Sequence, residues 1–370
     1  MDFFKKITII GMGLIGGSLA SGLKNRGYDG EITGYDVSKE SLTEAKELGI
    51  IDKKAYSLKE AVEDVDLVIL STPIAVYEQI LKEIGPWLKE ETILTDMGSV
   101  KSCVGSLIQT HIPDSIQFIG GHPMAGSEKG GLRASSPTLY ENAYYFLTPL
   151  ENTTKRTIDK MEGFVSLLGA YPVIVSSEEH DKIVATISHI PHLAAVLLAN
   201  MVDYNGGIHS IPFVGGGFRD TTRIASGNPK MWKDIFFYNK SQLVAGMKGL
   251  EEMLGEFREL IERNEEERIL ELLNKAKFIR DSIPKRVPDY LPPLYEVIID
   301  VEDKPGALGE LTRIMGDNDM NIKEIEILHA REGEQGAIRI GFASLEEQKQ
   351  AADLLRGRGF FKTYLKGERV

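Results

Sequence analysis

The stretch that most constrains this chain is KKITIIGMGLIGGSLASGL, residues 5–23. A run of strand character leads at once into Gly11, Gly13 and Gly16, and a helical pattern follows. Glycines spaced G-x-G-x-x-G at a strand-to-helix turn suit a dinucleotide. The first makes the turn, the second lets a pyrophosphate approach the backbone, and the third lets the helix pack on the strand, with the helix N-terminus facing the phosphates. Leu14 and Ile15 complete the loop. Twenty residues past Gly16, at the end of the next strand, stands Asp36 in TGYDVS. A carboxylate there accepts hydrogen bonds from ribose hydroxyls and repels a 2'-phosphate, which favours NAD over NADP. The alternative use of Asp36 is as a helix cap. Ser71, Thr72 and Pro73 end the segment DLVILSTP on the same edge, where they either touch the cofactor or simply close the strand.

Residues 5–176 continue the alternation. The runs KKITIIG, EITGYD, DLVILSTP, TILTDMG, YYFLTP and YPVIVS are separated by amphipathic stretches. Near-continuous Ile, Val and Leu belong to strands covered on both faces, so the pattern predicts a parallel, doubly wound α/β domain of Rossmann type over 1–176. From SSEEHDKI the strand signals stop. Ser176 and Glu179 have capping-box spacing, and an all-helical domain is predicted over 177–286, interrupted by IPFVGGGFRD. Its run HLAAVLLANMV is apolar all round and has to be covered, within the domain or across a homodimer interface. We expect it to dimerise. VPDYLPP, 287–293, reads as a hinge. Residues 294–370 then follow the ferredoxin-like order βαββαβ.

Composition narrows the partners. At 370 residues the chain exceeds one ordinary core. A net charge of -12 disfavours nucleic acid and anionic membranes, so an anionic substrate has to be met by particular arginines or helix ends. Cys103 is the single cysteine, which precludes an internal disulfide and argues against a metal site; it reads as a buried, inert thiol. MDFFKKITIIG lacks the pattern of a signal peptide, and the longest apolar run, 193–202, is half a bilayer span. A cytoplasmic protein without a membrane partner is expected.

Four motifs carry candidate chemistry. DMGSVK and GGHP each follow a strand, so Ser99 and His122 are expected at the cofactor edge. A neutral imidazole there accepts a proton as hydride leaves the adjacent carbon, and Ser99 either orients it, shares a bond to a substrate hydroxyl, or merely caps a helix. The glycines beside His122 are read as clearance for cofactor and substrate ring. In SHIPH, Pro191 is expected to kink a helix, with His189 structural and His192 lining a pocket; two histidines three apart are too few ligands for a metal. In GGGFRDTTRIASGNPKMW, Arg219, Asp220, Arg223 and Trp232 surround a glycine cluster. Arg223 suits a carboxylate, against the alternative of an Arg219–Asp220 surface pair with Trp232 in the core.

Taken in order, GMGLIGGS, DMGSVK, GGHPMAGSEKGG, SHIPH and GGGFRDTTRIA resemble the prephenate dehydrogenase family of tyrosine biosynthesis, in the form that carries a C-terminal ACT regulatory domain. The resemblance covers nearly the whole chain. It implies oxidative decarboxylation of prephenate by NAD, with His122 as the base, Ser99 assisting, Arg223 on a substrate carboxylate, and His192, Ser127, Gly216, Glu128 and Trp232 around the substrate. Thr221 and Met97 depart from residues frequent in the family. For the tail it implies an effector, L-tyrosine, at two turns: Asp303, Pro305, Gly306, Ala307 and Leu308 in the first, Asn318, Asn321 and Ile322 in the second. A domain that only assembles subunits is the alternative there. Rival activities are arogenate or broad cyclohexadienyl dehydrogenase, a 3-hydroxyacid-type dehydrogenase with a lysine base, and a non-catalytic NAD or amino-acid sensor.

Overall fold

Strand β1 (Lys6–Ile10) sends Ile7 and Ile9 to one face and Ile10 to the other, all fully buried, as a central strand covered on both sides requires. In the computed structural model, which describes residues 4–127, 130–204, 207–283, 295–301, 305–328, 336–360 and 363–365, β1 lies inside an eight-stranded sheet. The others are β2 (Glu31–Tyr35), β3 (Lys53–Lys54), β4 (Leu67–Leu70), β5 (Ile93–Asp96), β6 (Gln117–Pro123), β7 (Tyr144–Pro149) and β8 (Tyr171–Ile174). Their order is β3-β2-β1-β4-β5-β6-β7-β8. The chain winds outward from β1 in one direction and from β4 in the other, which opens the switch-point crevice between them.

Helices α1 (Leu14–Asn25), α2 (Lys39–Glu47), α3 (Leu58–Val62), α4 (Tyr77–Ile84), α5 (Ser102–His111) and α6 (Lys155–Leu167) cover the sheet. Leu19 and Leu23 of α1 pack with Phe164 of α6 on one face. Leu81 and Ile84 of α4 pack with Val104 and Ile108 of α5 on the other.

The sheet is mixed where a wholly parallel one was expected. β7 runs antiparallel to β6, and β8 follows β7 in parallel. The cause is the connection: among the described residues of 124–143 there is no crossover helix, only a short 3-10 turn at Leu132–Ala134, so the strand has to return in the opposite sense. The two-residue β3 also escaped the sequence pattern, being too short to show alternation.

After β8 the first unit is helical: α7 (Ser177–Val184), α8 (Ile190–Tyr204), α9 (Gly216–Thr222), α10 (Pro229–Tyr238), α11 (Lys240–Glu262) and α12 (Glu266–Ser282). Ser176 caps α7, accepting from Glu179 N–H at 3.1 Å. Pro191 lies in the first turn of α8. A π-helical turn, Ala185–His189, joins α7 to α8, and its wider winding absorbs the bond that proline cannot donate. The resulting helical stretch Ser177–Tyr204 is continuous over 28 residues, longer than the apolar run implied, and is long and apolar enough to cross a membrane by length and composition only, a test that core helices of soluble proteins also pass. In α8 only His192 and Ala195 are buried, while Leu197, Leu198, Met201 and Tyr204 are exposed in the single chain.

The contacts divide the chain into Met1–Ser282 and Ile283–Val370. The second unit contains β9 (Tyr295–Val301), α13 (Ala307–Gly316), β10 (Glu324–Leu328), β11 (Gly336–Phe342), α14 (Leu345–Gly357) and β12 (Thr363–Leu365), an antiparallel sheet in the order β10-β11-β9-β12. Val297, Ile299, Ile338, Ile340 and Phe342 face Leu311, Met315, Ala351 and Leu355 of the two helices. The βαββαβ reading therefore holds. The hinge at 287–293 lies outside the described residues.

The loop glycines divide by what a Cβ would meet. At Gly16 it would lie 2.0 Å from the Gly11 carbonyl oxygen, whereas at Gly13 it meets nothing within 4 Å. Gly16→Ala is expected to lower folding free energy by about 1–3 kcal/mol by overpacking. Gly13→Ala should stay within about 0.5 kcal/mol of the parent chain. Urea unfolding of both variants checks the contrast.

Candidate active site

The glycine loop sits at the C-terminal edge of β1. Gly11 has φ +102°, and a Cβ there would press on the Ser71 carbonyl at 2.6 Å, so this turn and the end of β4 are in contact. Gly13 begins α1, whose N-terminus receives no side-chain cap. Asp36 is not the helix cap of α2; Ser38 is, accepting from Ser41 N–H. The Asp36 carboxylate instead accepts from Met12 N–H at 2.7 Å and from Ser38 N–H at 2.8 Å, which aims it at the loop. Ser71 Oγ and Thr72 Oγ1 are buried with no hydrogen-bond partner among the described residues, and Pro73 is exposed. Leu14 and Ile15 are half-buried, and Ile15 O accepts from the Tyr140 hydroxyl at 2.6 Å. Open space over Gly13, an uncapped helix end, a fixed carboxylate and two orphan hydroxyls on one edge fit a dinucleotide.

His122 lies on the same edge, the penultimate residue of β6, which is separated from β4 by one strand, about 10 Å at ordinary sheet spacing. It is half-buried. Its Nδ1 lies 2.8 Å from His180 Nε2, and His180 Nδ1 lies 2.8 Å from Asp181 Oδ1. The carboxylate can only accept, so His180 Nδ1 carries the proton. Neutral His180 then accepts at Nε2, His122 donates from Nδ1, and His122 Nε2 keeps its lone pair. Burial, then His180 and the Lys101 cation, hold His122 well below the usual imidazole range. Burial also lowers His180, against the opposing pull of Asp181. The arrangement is an oriented, uncharged base.

Asp181 is itself anchored. Its Oδ1 accepts from Lys101 N–H at 2.8 Å and its Oδ2 from Ser102 N–H at 2.9 Å, capping α5 from another helix. These bonds hold its carboxyl below the usual range despite burial. Asn239 donates to the Asp181 carbonyl at 2.9 Å and lies 3.1 Å from His189 Nδ1. His189 is buried and pushed down to about 4, mainly by desolvation.

His180, Asp181 and Asn239 were not singled out from sequence. The available signal was a His-Asp pair in the first turn of a capped helix, but nothing local says that it meets residue 122. Orientation of His122 comes from His180, and among the described residues no hydrogen bond joins it to Ser99, which is half-buried in the loop after β5. The glycines beside His122 also have a different cause from the one expected. A Cβ on Gly120 would lie 2.3 Å from Thr148 Oγ1, and one on Gly121 2.5 Å from the Asp96 carbonyl oxygen and 2.9 Å from the Tyr145 hydroxyl. Packing beneath the strand excludes side chains there.

The remaining candidates gather around α8. His192 is buried and stacked on Trp232 with ring centroids 3.5 Å apart, and its Nδ1 has no partner. Gly227 backs this pair, since a Cβ would touch Trp232 Nε1 at 2.5 Å. Arg223 opens a 3-10 turn, Arg223–Ser226, and is exposed; Gly216 begins α9. Arg219, Asp220 and Arg223 form no ion pair among the described residues, so the Arg219–Asp220 surface pair is not observed. Ser127 is exposed, and Glu128 lies outside the described residues. In the second unit, Gly306 takes φ +92° just before α13, with Pro305 and Leu308 exposed and Ala307 half-buried. Asn318 donates to the Ile314 carbonyl at 2.9 Å, Asn321 is exposed and Ile322 packs against the core. Asp303 lies outside the described residues.

Fold and site together define a two-part dehydrogenase: a nucleotide-binding α/β domain and a helical domain that completes a histidine–histidine–aspartate series, followed by a small regulatory-type domain. Family models agree segment by segment: "Prephenate dehydrogenase, nucleotide-binding domain" over residues 19–174, "Prephenate dehydrogenase, dimerization domain" over 176–275 and "ACT domain" over 295–356. The prephenate dehydrogenase of Bacillus subtilis is 35% identical over 97% of both chains. The cyclohexadienyl dehydrogenase of Zymomonas mobilis is 33% identical over 66% of this chain and 84% of its own. Among solved structures, prephenate dehydrogenase from Aquifex aeolicus, in complex with hydroxyphenyl propionate and NAD+, superposes with TM-score 0.71 at 35% identity, covering 76% of this chain and 98% of that one. Synechocystis arogenate dehydrogenase gives 0.67 at 28% identity over 75% and 100%. The chain belongs to the prephenate dehydrogenase family.

The buried histidines make stability depend on pH. With folded values below the unfolded one, the unfolded chain binds more protons below about pH 6.5, so stability falls as pH drops toward the folded values, about 4 for His189. Each histidine contributes a slope of up to about 1.4 kcal/mol per pH unit. Asp181, whose value is lowered from 3.8, adds a loss only below that window. Urea midpoints should therefore fall between about pH 7 and pH 5, and a flat profile there would contradict buried neutral histidines.

Proposed function

We propose that the chain catalyses the NAD-dependent oxidative decarboxylation of prephenate to 4-hydroxyphenylpyruvate and carbon dioxide. The observation that carries this reading is the Asp181–His180–His122 series, which leaves one imidazole nitrogen free as an acceptor on the edge that holds the glycine loop. Gly11, Gly13, Gly16, Asp36, Ser71 and Thr72 would hold NAD, which supplies a hydride acceptor when bound.

The chain's own groups do the rest. His122 Nε2 takes the proton of the ring hydroxyl as the hydride departs from the same carbon. The C–C bond to the ring carboxylate breaks, its electron pair completes the aromatic ring, carbon dioxide leaves, and the phenolate oxygen takes the proton back from His122. The positive charge gained by His122 is stabilised through His180 by the Asp181 carboxylate, as in other acid–imidazole pairs. Ser99 shares the hydroxyl's hydrogen bond. Arg223, exposed and without an ion pair among the described residues, binds a substrate carboxylate with its two-pronged guanidinium. His192 with Trp232, Ser127, Gly216 and Glu128 surround the substrate.

The exposed apolar residues of α8 support a homodimer. The second unit is proposed to bind L-tyrosine as feedback inhibitor at the turns around Gly306 and Asn321. Arogenate is the competing substrate, supported by the likeness to the Synechocystis enzyme. NADH formation measured with each compound in turn separates the two.

His122→Asn is expected to cut prephenate turnover by at least about a hundredfold, the lower range for a lost general base, with NAD binding kept. Near-normal turnover would refute the assignment. Tyrosine should inhibit the full chain and not one ended after Ser282, the limit of the first compact unit. Equal sensitivity in both would place the inhibitor elsewhere.

A further inference from the structure

Beneath the histidines lies a buried ion pair that the reaction itself does not call on. Lys101 and Asp96 are essentially inaccessible, 1% and 0% exposed at their side chains. The Lys101 ammonium donates to Asp96 Oδ2 and, at 2.8 Å, to the Gly121 carbonyl. Asp96 in turn accepts from Gly121 N–H at 3.2 Å and from Gly98 N–H at 2.8 Å, with the Tyr77 hydroxyl at 3.5 Å. Both polar groups of Gly121, the residue before His122, are thus held by this pair.

The same lysine reaches the other side of the base. Its backbone N–H donates to Asp181 Oδ1, the oxygen that orients His180. One residue therefore touches the strand that carries His122 and the carboxylate at the far end of the histidine series. Its stem fills the space that Gly120 leaves open, with Cδ 3.0 Å from where a Cβ would be. A buried lysine costs several kcal/mol of desolvation, and burying it here is only weakly an argument for stability, because a well-packed apolar pair would serve the core as well or better.

We propose that Lys101 is a positioning residue: through Gly121 on one side and Asp181 on the other, it sets the register in which His122 meets His180. This assignment rests on the reading of His122 as base. The charge has a second effect. The titratable groups facing His122 are His180, Lys101 and His189; those facing His180 are Asp181, Lys101 and Asp96. Lys101 opposes protonation of both rings. Without it, Asp96 is left facing His180 unbalanced and His122 loses a neighbouring cation, so both imidazoles become easier to protonate.

Steady-state kinetics on the full chain test this with Lys101→Met and with Lys101→Met/Asp96→Asn, in which no buried charge is left unpaired. Turnover should fall about tenfold or more in both variants, since sub-ångström misplacement of a base is already costly, while KM for NAD stays within about twofold. In Lys101→Met the acid limb of kcat/KM should also move to higher pH. If the single variant does not fold, as judged by thermal unfolding, the double variant carries the kinetic test. Restoration of parental turnover in the double variant would overturn the proposal, because the lysine would then serve only to neutralise Asp96; so would a single variant with parental turnover and an unmoved acid limb. Full turnover in His122→Asn would instead defeat the underlying reading, independently of either result.

Discussion

The carboxylate of Asp181 ties the catalytic half of this molecule together. It sits at the N-terminus of α5, where two backbone N–H groups and the local dipole favour a negative charge, and it accepts a third bond from the His180 ring. Hydrogen bonds to a charged group contribute about 1.5–3 kcal/mol each when buried. The chemical consequence is larger than the energetic one. A helix of the second domain is fixed to helix α5 of the first, and the same carboxylate sets the proton arrangement that leaves His122 Nε2 free to accept.

Glycine serves this fold in three distinct ways. At Gly11 the backbone takes φ +102°, which a side chain would strain, and at Gly16 the loop carbonyl occupies the place of a Cβ. At Gly13 the space is open and faces the proposed cofactor. At Gly120 and Gly121 the occupants are Thr148, Lys101, Tyr145 and Asp96, internal groups that pack beneath the strand. One residue type therefore marks ligand clearance in one loop and close polar packing in another.

The long helical stretch Ser177–Tyr204 shows a related division of labour. Its first half carries the buried polar side chains His180, Asp181 and His189. The second half is apolar and exposed in the single chain. The π-helical turn between them accommodates Pro191 and lets both halves belong to one continuous element. Hydropathy alone does not separate these roles, because it averages over faces that meet different neighbours.

Local signals determined much of this protein. The glycine spacing with Asp36, the run of buried strands, the capping box at Ser176 and the βαββαβ order of the tail were legible because each depends on residues close together in the chain, where backbone sterics and hydrophobic periodicity act directly. His122 was legible for the same reason, as a polar residue at a strand end. Only the tertiary structure decided that β7 runs antiparallel, that His180 rather than Ser99 orients the base, and that Lys101 lies under it. Those outcomes join residues 20 to 80 positions apart, and pairing at that range is selected by the packing of the whole core, which no short window of sequence contains.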